Sequence, residues 1–306
     1  MVPVVFTAFL FGFIIFWFLR PRKTTFDVNG KVVVITGAAS GIGKGLAISL
    51  MQRGGTVVCI DLNQANLGTL TKEHPELHHT YVCDVSNPAI VAKVMQDITK
   101  QLGEIDVLIN NAGIVQGKFL TELSCEDIQR TMNVNTMAHF WTTKAVLPRM
   151  MERNSGMIVT VASVMGINGA AKLVDYCTSK FACVGFHESL RLELQHLGKR
   201  GIHTLLVCPL GVTTGMFDGA FESGAWWEHF IHKFLIPMLP VDEVVKSIVD
   251  GIEHKDEQLI TCAQSWHKYA LPTVSRASRF LPTYIMDFLL AIGGGHNGMD
   301  NFRGHD

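Results

Sequence analysis

Charge is scarce in this sequence: 17% of its 306 residues are Asp, Glu, Lys or Arg, and they balance to a formal net charge of −1. That balance excludes a basic field for holding nucleic acid, and with no acidic tail there is no arm for a disordered partner. Ordered cysteine patterns are lacking too. The seven cysteines, Cys59, Cys83, Cys125, Cys177, Cys183, Cys208 and Cys262, are odd in number and form no CxxC pair, which argues against a disulfide framework or a zinc site. Several sit in strand-like runs such as VVCID and LLVCP, as buried free thiols of a reducing compartment do. His229 and His232 stand three apart, but no nearby carboxylate or third histidine completes a ligand set, so no metal is expected. Solenoid repeats are absent, and low complexity is confined to the short GGGHNG near the end.

What the chain has in excess is hydrophobicity, concentrated at its start. Residues 2 to 19, VPVVFTAFLFGFIIFWFL, carry no charge, and Arg20, Pro21, Arg22 and Lys23 follow at once. A helix of that length reaches about 27 Å, near the lower limit for a bilayer core of about 30 Å. The run can therefore span, or lie as a hairpin in one leaflet. A cleaved signal peptide is the competing reading, but the basic residues follow the apolar run instead of preceding it, and no small-x-small cleavage site precedes Arg20. Residues 1–23 are read as a membrane anchor whose basic flank keeps the following domain on the cytosolic side.

Beyond the anchor, short apolar runs alternate with segments of helical period. KVVVITG (31–37), TVVCID (56–61), YVCDV (81–85), DVLINNAG (106–113), MIVTVAS (157–163), HTLLVCP (203–209) and QLIT (258–261) read as seven strands. Ile42, Leu46 and Leu50 mark one face of a helix that Gly54 and Gly55 stop. Ser86, Asn87 and Pro88 offer a cap and a first-turn proline for another, carrying Ile90, Val94, Ile98 and Leu102. Strands apolar throughout are covered on both faces. Such units close as right-handed crossovers, giving a doubly wound α/β fold with a parallel sheet and ligands at the carboxyl ends of its strands.

Between the first strand and first helix stands TGAASGIG, Thr36 to Gly43. Gly37, Gly41 and Gly43 allow a tight turn and close approach to a pyrophosphate, with the helix amino terminus behind them and Ser40 and Ile42 between. The second strand ends in Asp61, about 20 residues on, where a carboxylate accepts ribose hydroxyls and repels a 2′-phosphate. No Arg or Lys stands just before Gly41 or just after Asp61, so NAD is favoured over NADP.

Tyr176 and Lys180, four apart in DYCTSKFACVGFHESLRLEL, share one face of a helix. A phenol of pKa about 10 is a poor base at neutral pH, and a neighbouring ammonium lowers that value. Ser163 ends the fifth strand, where its hydroxyl can hold a substrate oxygen. Together the three groups point to hydride exchange between a nicotinamide and an alcohol or carbonyl.

With these motifs the chain resembles the short-chain dehydrogenase/reductase superfamily over about residues 30 to 265, which implies a Rossmann-like single domain. The matching residues are TGAASGIG, Asp84 and Val85 in CDV on the adenine side, NNAG at 110–113 (with Asn111, Ala112 and Gly113), Asn135, Ser163, Tyr176 and Lys180. The resemblance implies that Asn135 completes a catalytic tetrad and helps hold a water relay to Lys180, that Tyr176 and Lys180 also contact the cofactor, and that Asn111 braces the sheet. One motif departs from the family's PGxVxT: PLGVTT (209–214) keeps Pro209, Val212 and Thr214 as cofactor contacts but moves the glycine from 210 to 211. NTMAHFWTTKAVLPRM, DYCTSK, TGMF and the ending GMDNFRG resemble the membrane-bound branch of microsomal retinol dehydrogenases and related hydroxysteroid dehydrogenases. Dimerisation through the helical stretches around 125–150 and 174–197 follows from the same resemblance.

Trp226, Phe230, Phe234 and Met238 recur four apart in WWEHFIHKFLIPMLP, an apolar helical face. It reads as a lid, within residues 213–240, that packs on the core or lies at a membrane surface and admits lipid-soluble substrate. Residues 266–306 form an apolar extension whose run LPTYIMDFLLAI (281–292) is too short to span. The expected activity is NAD-dependent oxidation of a lipophilic, retinol-like alcohol at the endoplasmic reticulum or lipid droplets. Hydroxysteroid oxidation, reduction of a retinal-type carbonyl and a non-catalytic lipid-droplet or membrane scaffold are its rivals.

Overall fold

The computed structural model describes residues 25–217, 238–255 and 258–261, together with 285, 299, 300 and 302. Alternate side chains of the first apolar run enter opposite layers. Val33 and Ile35 pack with Leu46, Leu50, Val244 and Ile248, whereas Val32 and Val34 pack with Val94, Ile98, Val146 and Leu190. A strand buried on both faces has no room for polar alternation, which explains the continuous apolar runs.

Those runs form β1 (Val32–Thr36), β2 (Thr56–Asp61), β3 (His79–Val82), β4 (Ile105–Asn110), β5 (Gly156–Val161), β6 (Ile202–Pro209) and β7 (Gln258–Thr261). All pair in parallel, in the order β3-β2-β1-β4-β5-β6-β7. The helices are α1 (Gly41–Gln52), α2 (Gln64–Glu73), α3 (Pro88–Leu102), α4 (Cys125–Met132), α5 (Ala138–Arg153), α6 (Val174–His196) and α7 (Val241–Glu253). This is the doubly wound, Rossmann-like sheet that the sequence implies. The chain runs outward from β1 through β3, then crosses back to place β4 on the other side of β1. That reversal opens a crevice above β1 and β4, where ligands of such sheets bind.

Two expectations need correction. The third strand ends at Val82; the Cys83 N–H still donates to the Asp61 carbonyl at 2.9 Å, and at Asp84 the chain turns, the carboxylate accepting the Ser86 N–H at 2.9 Å. The helical stretch around 125–150 is present without a break but not α-helical throughout: Asn133–Met137 winds as a π-helix between α4 and α5. Such one-turn widenings inside helices are frequent at functional sites. At the start of α3, Asn87 is the cap, accepting the Ala89 and Ile90 N–H groups, and Pro88 opens the first turn.

No helix among the described residues is long and apolar enough to cross a membrane. The expected anchor (1–23), the lid helix (226–240, apart from its last three residues) and most of 281–292 lie outside those residues. The two ends of the lid segment are nonetheless joined. Val212 bridges Leu239, the Thr213 N–H donates to the Leu239 carbonyl at 2.9 Å, and the Leu239 N–H donates to the Gly211 carbonyl at 2.8 Å. Ile158, fully buried in β5 between the sheet and α5, is expected to cost about 2–5 kcal/mol on replacement by Ala. Chemical denaturation of the two proteins measures it, and a difference within 0.5 kcal/mol, the usual size for a surface change, is the contrary result.

Candidate active site

A cavity of about 510 Å³ opens at the reversal point. It is lined by Gly37, Ser40, Gly41, Ile42, Asp61, Asp84, Val85, Asn111, Ala112, Gly113, Ser163, Tyr176, Lys180, Pro209, Val212 and Thr214. Of the residues singled out in the sequence, Gly43 and Asn135 do not line it; both stand behind its wall. Arg130, Val134, Ile114, Leu210 and Met216 also line it, and none of them was singled out as a site residue from the sequence. These depend on tertiary placement, not on a motif.

The glycine turn is held from β4. The Thr36 hydroxyl accepts the Asn111 and Ala112 N–H groups at 3.0 and 3.1 Å, and Asn111 Nδ2 donates to the carbonyls of Thr36 and Gly37 at 3.0 and 3.1 Å. Gly37 has φ +64°, and a Cβ there would stand 2.9 Å from the Ala112 Cα. A Cβ on Gly43 would overlap the Gly37 carbonyl, so its role is close packing of α1 against the turn. Ser40 caps α1 without a side-chain hydrogen bond to it, leaving the first-turn N–H groups open toward the cavity as an anion requires. Asp61 is fixed at the rim, its two oxygens accepting the Ala39 and Asn63 N–H groups at 2.9 Å each. An open helix terminus, glycine backbone beside it and an oriented carboxylate one strand away fit the pyrophosphate and ribose of a dinucleotide.

Helix α6 brings Tyr176 and Lys180 to the cavity. Tyr176, Lys180, Cys183, His187, Leu190 and Leu194 all fall on its buried stripe, at alternating steps of four and three, so Tyr176 and Lys180 are the last rungs of a core face that reaches the cavity. Ser179, also buried, donates to the Tyr176 carbonyl at 2.7 Å and accepts from Asn135 Nδ2 at 3.0 Å. Asn135 clamps Ile114 as well: its Nδ2 donates to the Ile114 carbonyl at 2.9 Å and its Oδ1 accepts the Ile114 N–H at 2.8 Å. The Cys183 thiol donates to the Asn135 main-chain carbonyl. The π-helical turn thus ties α6 to the loop after β4.

Tyr176 is only 3% exposed. Burial pushes its phenol above the ordinary value, and a hydrogen bond from the Ser163 hydroxyl pulls it partly back. The sequence reading expected Lys180 to lower that value. Burial sets the direction instead; Lys180 stands 5.7 Å from the centre of the Tyr176 ring and donates to the Val161 carbonyl at 3.1 Å. Burial in turn pulls the Lys180 ammonium below its usual range. Deeper still, His139 and His187 are held neutral by burial, pushed down to about 3 and about 4. Arg130 and Lys180 are the cationic side chains lining the cavity among the described residues.

The displaced glycine of PLGVTT also has a packing reason. A Cβ at Gly211 would overlap the sulfur of Met238, on the returning end of the lid segment, while Leu210 lines the cavity where the family's glycine would leave space. Among the described residues, no three His, Cys, Asp or Glu side chains are grouped to hold a metal ion; His229 and His232 lie outside them.

Residues 31–224 match the short chain dehydrogenase family. The chain belongs to that family. It is therefore an oxidoreductase of the short-chain dehydrogenase/reductase class. Among curated relatives it is 36% identical to short-chain dehydrogenase/reductase family 16C member 6 of Bos taurus over 305 residues, 96% of this chain and 90% of that one. It is 40% identical to 17-beta-hydroxysteroid dehydrogenase 13 of Homo sapiens over 248 residues, 80% of this chain and 78% of the relative. Retinol dehydrogenase 10-B of Danio rerio is 46% identical over 226 residues, 66% of this chain and 67% of the relative. Among solved structures, a short-chain dehydrogenase/reductase from Burkholderia phymatum in complex with NAD superposes with TM-score 0.70 at 25% identity, covering 86% of this chain and 96% of that one.

Proposed function

We propose that this family member oxidises a lipophilic alcohol, retinol-like in character, with NAD as the hydride acceptor and Tyr176 as the base. The observation that carries the reading is the convergence of the Ser163 hydroxyl and the Tyr176 phenol, joined by a hydrogen bond, on the wall of the cavity that Asp61 and the glycine turn complete. Bound NAD would supply the carbon that takes the hydride. The chain's own residues handle the proton and the oxygen: the Tyr176 phenolate accepts the hydroxyl proton, and Ser163 donates to the oxygen as it becomes a carbonyl. Lys180 supplies the positive charge that the phenolate form requires, its amine standing over the ring. Gly37, Ser40, Gly41, Ile42 and Gly43 would cradle the pyrophosphate; Asp61 would take the adenosine ribose; Asp84 and Val85 the adenine side. Asn111, Ala112, Gly113, Pro209, Val212 and Thr214 would flank the nicotinamide half, with Asn135 as the brace of the tetrad.

The test is turnover of detergent-solubilised full chain with NAD and NADPH against retinol, a steroid alcohol panel and their carbonyl forms. Retinol oxidised with NAD at the highest kcat/KM is the expected result. A higher value for a steroid alcohol would favour hydroxysteroid oxidation, the second reading, which rests on the relative bearing that name. No turnover and no cofactor binding in calorimetry would leave a scaffold. Because burial raises the Tyr176 phenol above its ordinary value, its proton-accepting form grows with each pH unit while the protonated form stays dominant, so the oxidation rate should climb between about pH 7 and 10 while carbonyl reduction stays nearly level. A falling oxidation rate over that interval contradicts the assignment of the base.

The same reading places the protein at the endoplasmic reticulum or lipid droplets, anchored by residues 1–23 with its catalytic domain in the cytosol. Deleting residues 1–23 should move the enzyme from the membrane pellet to the soluble fraction; continued pelleting would shift the anchoring role to the lid or the carboxyl-terminal extension. A homodimer through α4, α5 and α6 fits the outward Phe140, 40% exposed and edge-on to Phe186.

A further inference from the structure

Residues 161–167 wrap around one rung of α6. The Val161 carbonyl accepts the Lys180 amine at 3.1 Å. Two residues on, Ser163 caps a short 3-10 turn, Val164–Gly166, its hydroxyl accepting the Met165 N–H at 3.1 Å and its carbonyl the Gly166 N–H at 2.9 Å. The turn then runs along the helix: Met165 packs against the cluster that holds Tyr176 and Cys177, and Ile167 shares a cluster with Cys183. Gly166, buried, lies between those two footings.

At Gly166 the turn and the helix meet with no side chain of the turn between them. A Cβ there would stand 2.7 Å from the Lys180 carbonyl oxygen, 3.0 Å from the Lys180 carbonyl carbon and 3.0 Å from Val184 Cγ2. The φ of Gly166 is not in the left-handed region, so space alone requires the glycine. Lys180 is in the body of α6, and its carbonyl cannot rotate aside as the end of a flexible side chain can. A methyl group at 166 therefore needs about half an ångström more between turn and helix, and a close-packed interior passes that shift to whatever the turn carries. What it carries is Ser163.

We infer that Gly166 is the spacer that sets how far the Ser163 hydroxyl stands from the Tyr176 phenol, with Ile167 as the turn's second footing on α6. The inference rests on the alcohol-oxidation reading above, in which both groups act on one oxygen, and names the residue that holds them at working distance. Ser163 belongs to the turn and Tyr176 to the helix, and the hydrogen bond between them crosses the seam that Gly166 closes. Misplacing reacting groups by about 1 Å costs about 10²-fold in rate. Gly166 does not line the cavity; it acts through Ser163, as a positioning residue.

The experiment uses the full chain in detergent, with NAD and retinol or a steroid alcohol, whichever turns over. It compares wild type with Gly166→Ala, Ile167→Ala and, as a control, Gly185→Ala, where a Cβ meets nothing within 4 Å. Gly166→Ala should lower kcat by about 10- to 100-fold, with KM and calorimetric NAD binding nearly unchanged. Ile167→Ala, which loosens the turn without a clash, should lower kcat by about threefold, and it decides the matter if Gly166→Ala does not fold. Gly185→Ala should match wild type. In a Ser163→Ala background neither substitution should lower kcat further, because the group it displaces is already gone. A wild-type kcat in the deciding variant overturns the spacer, as does loss of NAD binding in place of kcat. So does a loss that multiplies undiminished with that of Ser163→Ala, the mark of a general structural defect. The carbon-13 resonance of Tyr176 Cζ, identified by its disappearance in Tyr176→Phe, is read without turnover, and in the deciding variant it should move toward its position in Ser163→Ala. If wild type turns over no alcohol while the resonance moves in this way, the alcohol reading falls and the spacer stands; an unmoved resonance overturns the spacer whatever the turnover.

Discussion

Tyr176→Phe should lower kcat/KM for alcohol oxidation by about 10³ to 10⁴ while NAD binding persists. Proton transfer by a positioned group is worth about 10² to 10⁴, and the phenol also takes part in holding the substrate oxygen, so the upper end is expected. The substitution removes one oxygen from a side chain that is 3% exposed. It deletes a buried polar atom without opening a cavity, so stability should hardly change. Ser163 loses its phenolic partner but keeps the Met165 N–H at 3.1 Å, and Ser179 keeps its bond to the main-chain carbonyl of residue 176. The cofactor cradle at 37–43, 61 and 84–85 is untouched. Steady-state kinetics and calorimetric titration with NAD separate the two quantities. Retention of more than about a tenth of the wild-type rate would remove Tyr176 from the chemistry, whereas loss of NAD binding along with activity would mean the ring is needed for the cofactor cradle.

Sequence legibility followed the range of the interaction. Strands β1, β2, β4, β5 and β6 were readable because burial on two faces forces uninterrupted apolar residues. β3 is one of the two edge strands and only partly buried, so its pattern is weaker, and the chain turns away at Asp84, two residues after its end. Tyr176 and Lys180 were readable as a helical repeat. The direction of the tyrosine's shift was not, since it depends on how dry the phenol is and on where the lysine amine points, and both are set by Val161 and Ser163 on another element. The π-helical turn at Asn133–Met137 adds one residue to a turn without disturbing composition or periodicity enough to announce itself. The displaced glycine of PLGVTT was visible as a departure, but its cause, the Met238 sulfur, lies across the lid. Phe302 left no local signal of its seat against Gly117, from which nearly the whole catalytic half of the chain separates it.

Asp61→Asn should collapse the preference for NAD over NADP. In the wild type the carboxylate is oriented by the Ala39 and Asn63 N–H groups, 2.9 Å from each of its oxygens, and Leu62 follows it where a cation would be needed to receive a phosphate. A 2′-phosphate placed there meets a like charge that cannot swing away, and like-charge juxtaposition costs several kcal/mol. The wild-type kcat/KM ratio of NAD to NADP should therefore be about 10² or more. Asparagine removes the repulsion. It keeps one acceptor oxygen but turns an amide toward the other N–H, so one of the two orienting hydrogen bonds is lost, at about 1 kcal/mol. NADP efficiency should rise and NAD efficiency fall, bringing the ratio within about tenfold of unity. Initial rates with each cofactor at saturating alcohol measure it directly. A wild type that already prefers NADP, or a variant whose ratio does not move, would show that cofactor choice is made elsewhere than at the end of β2.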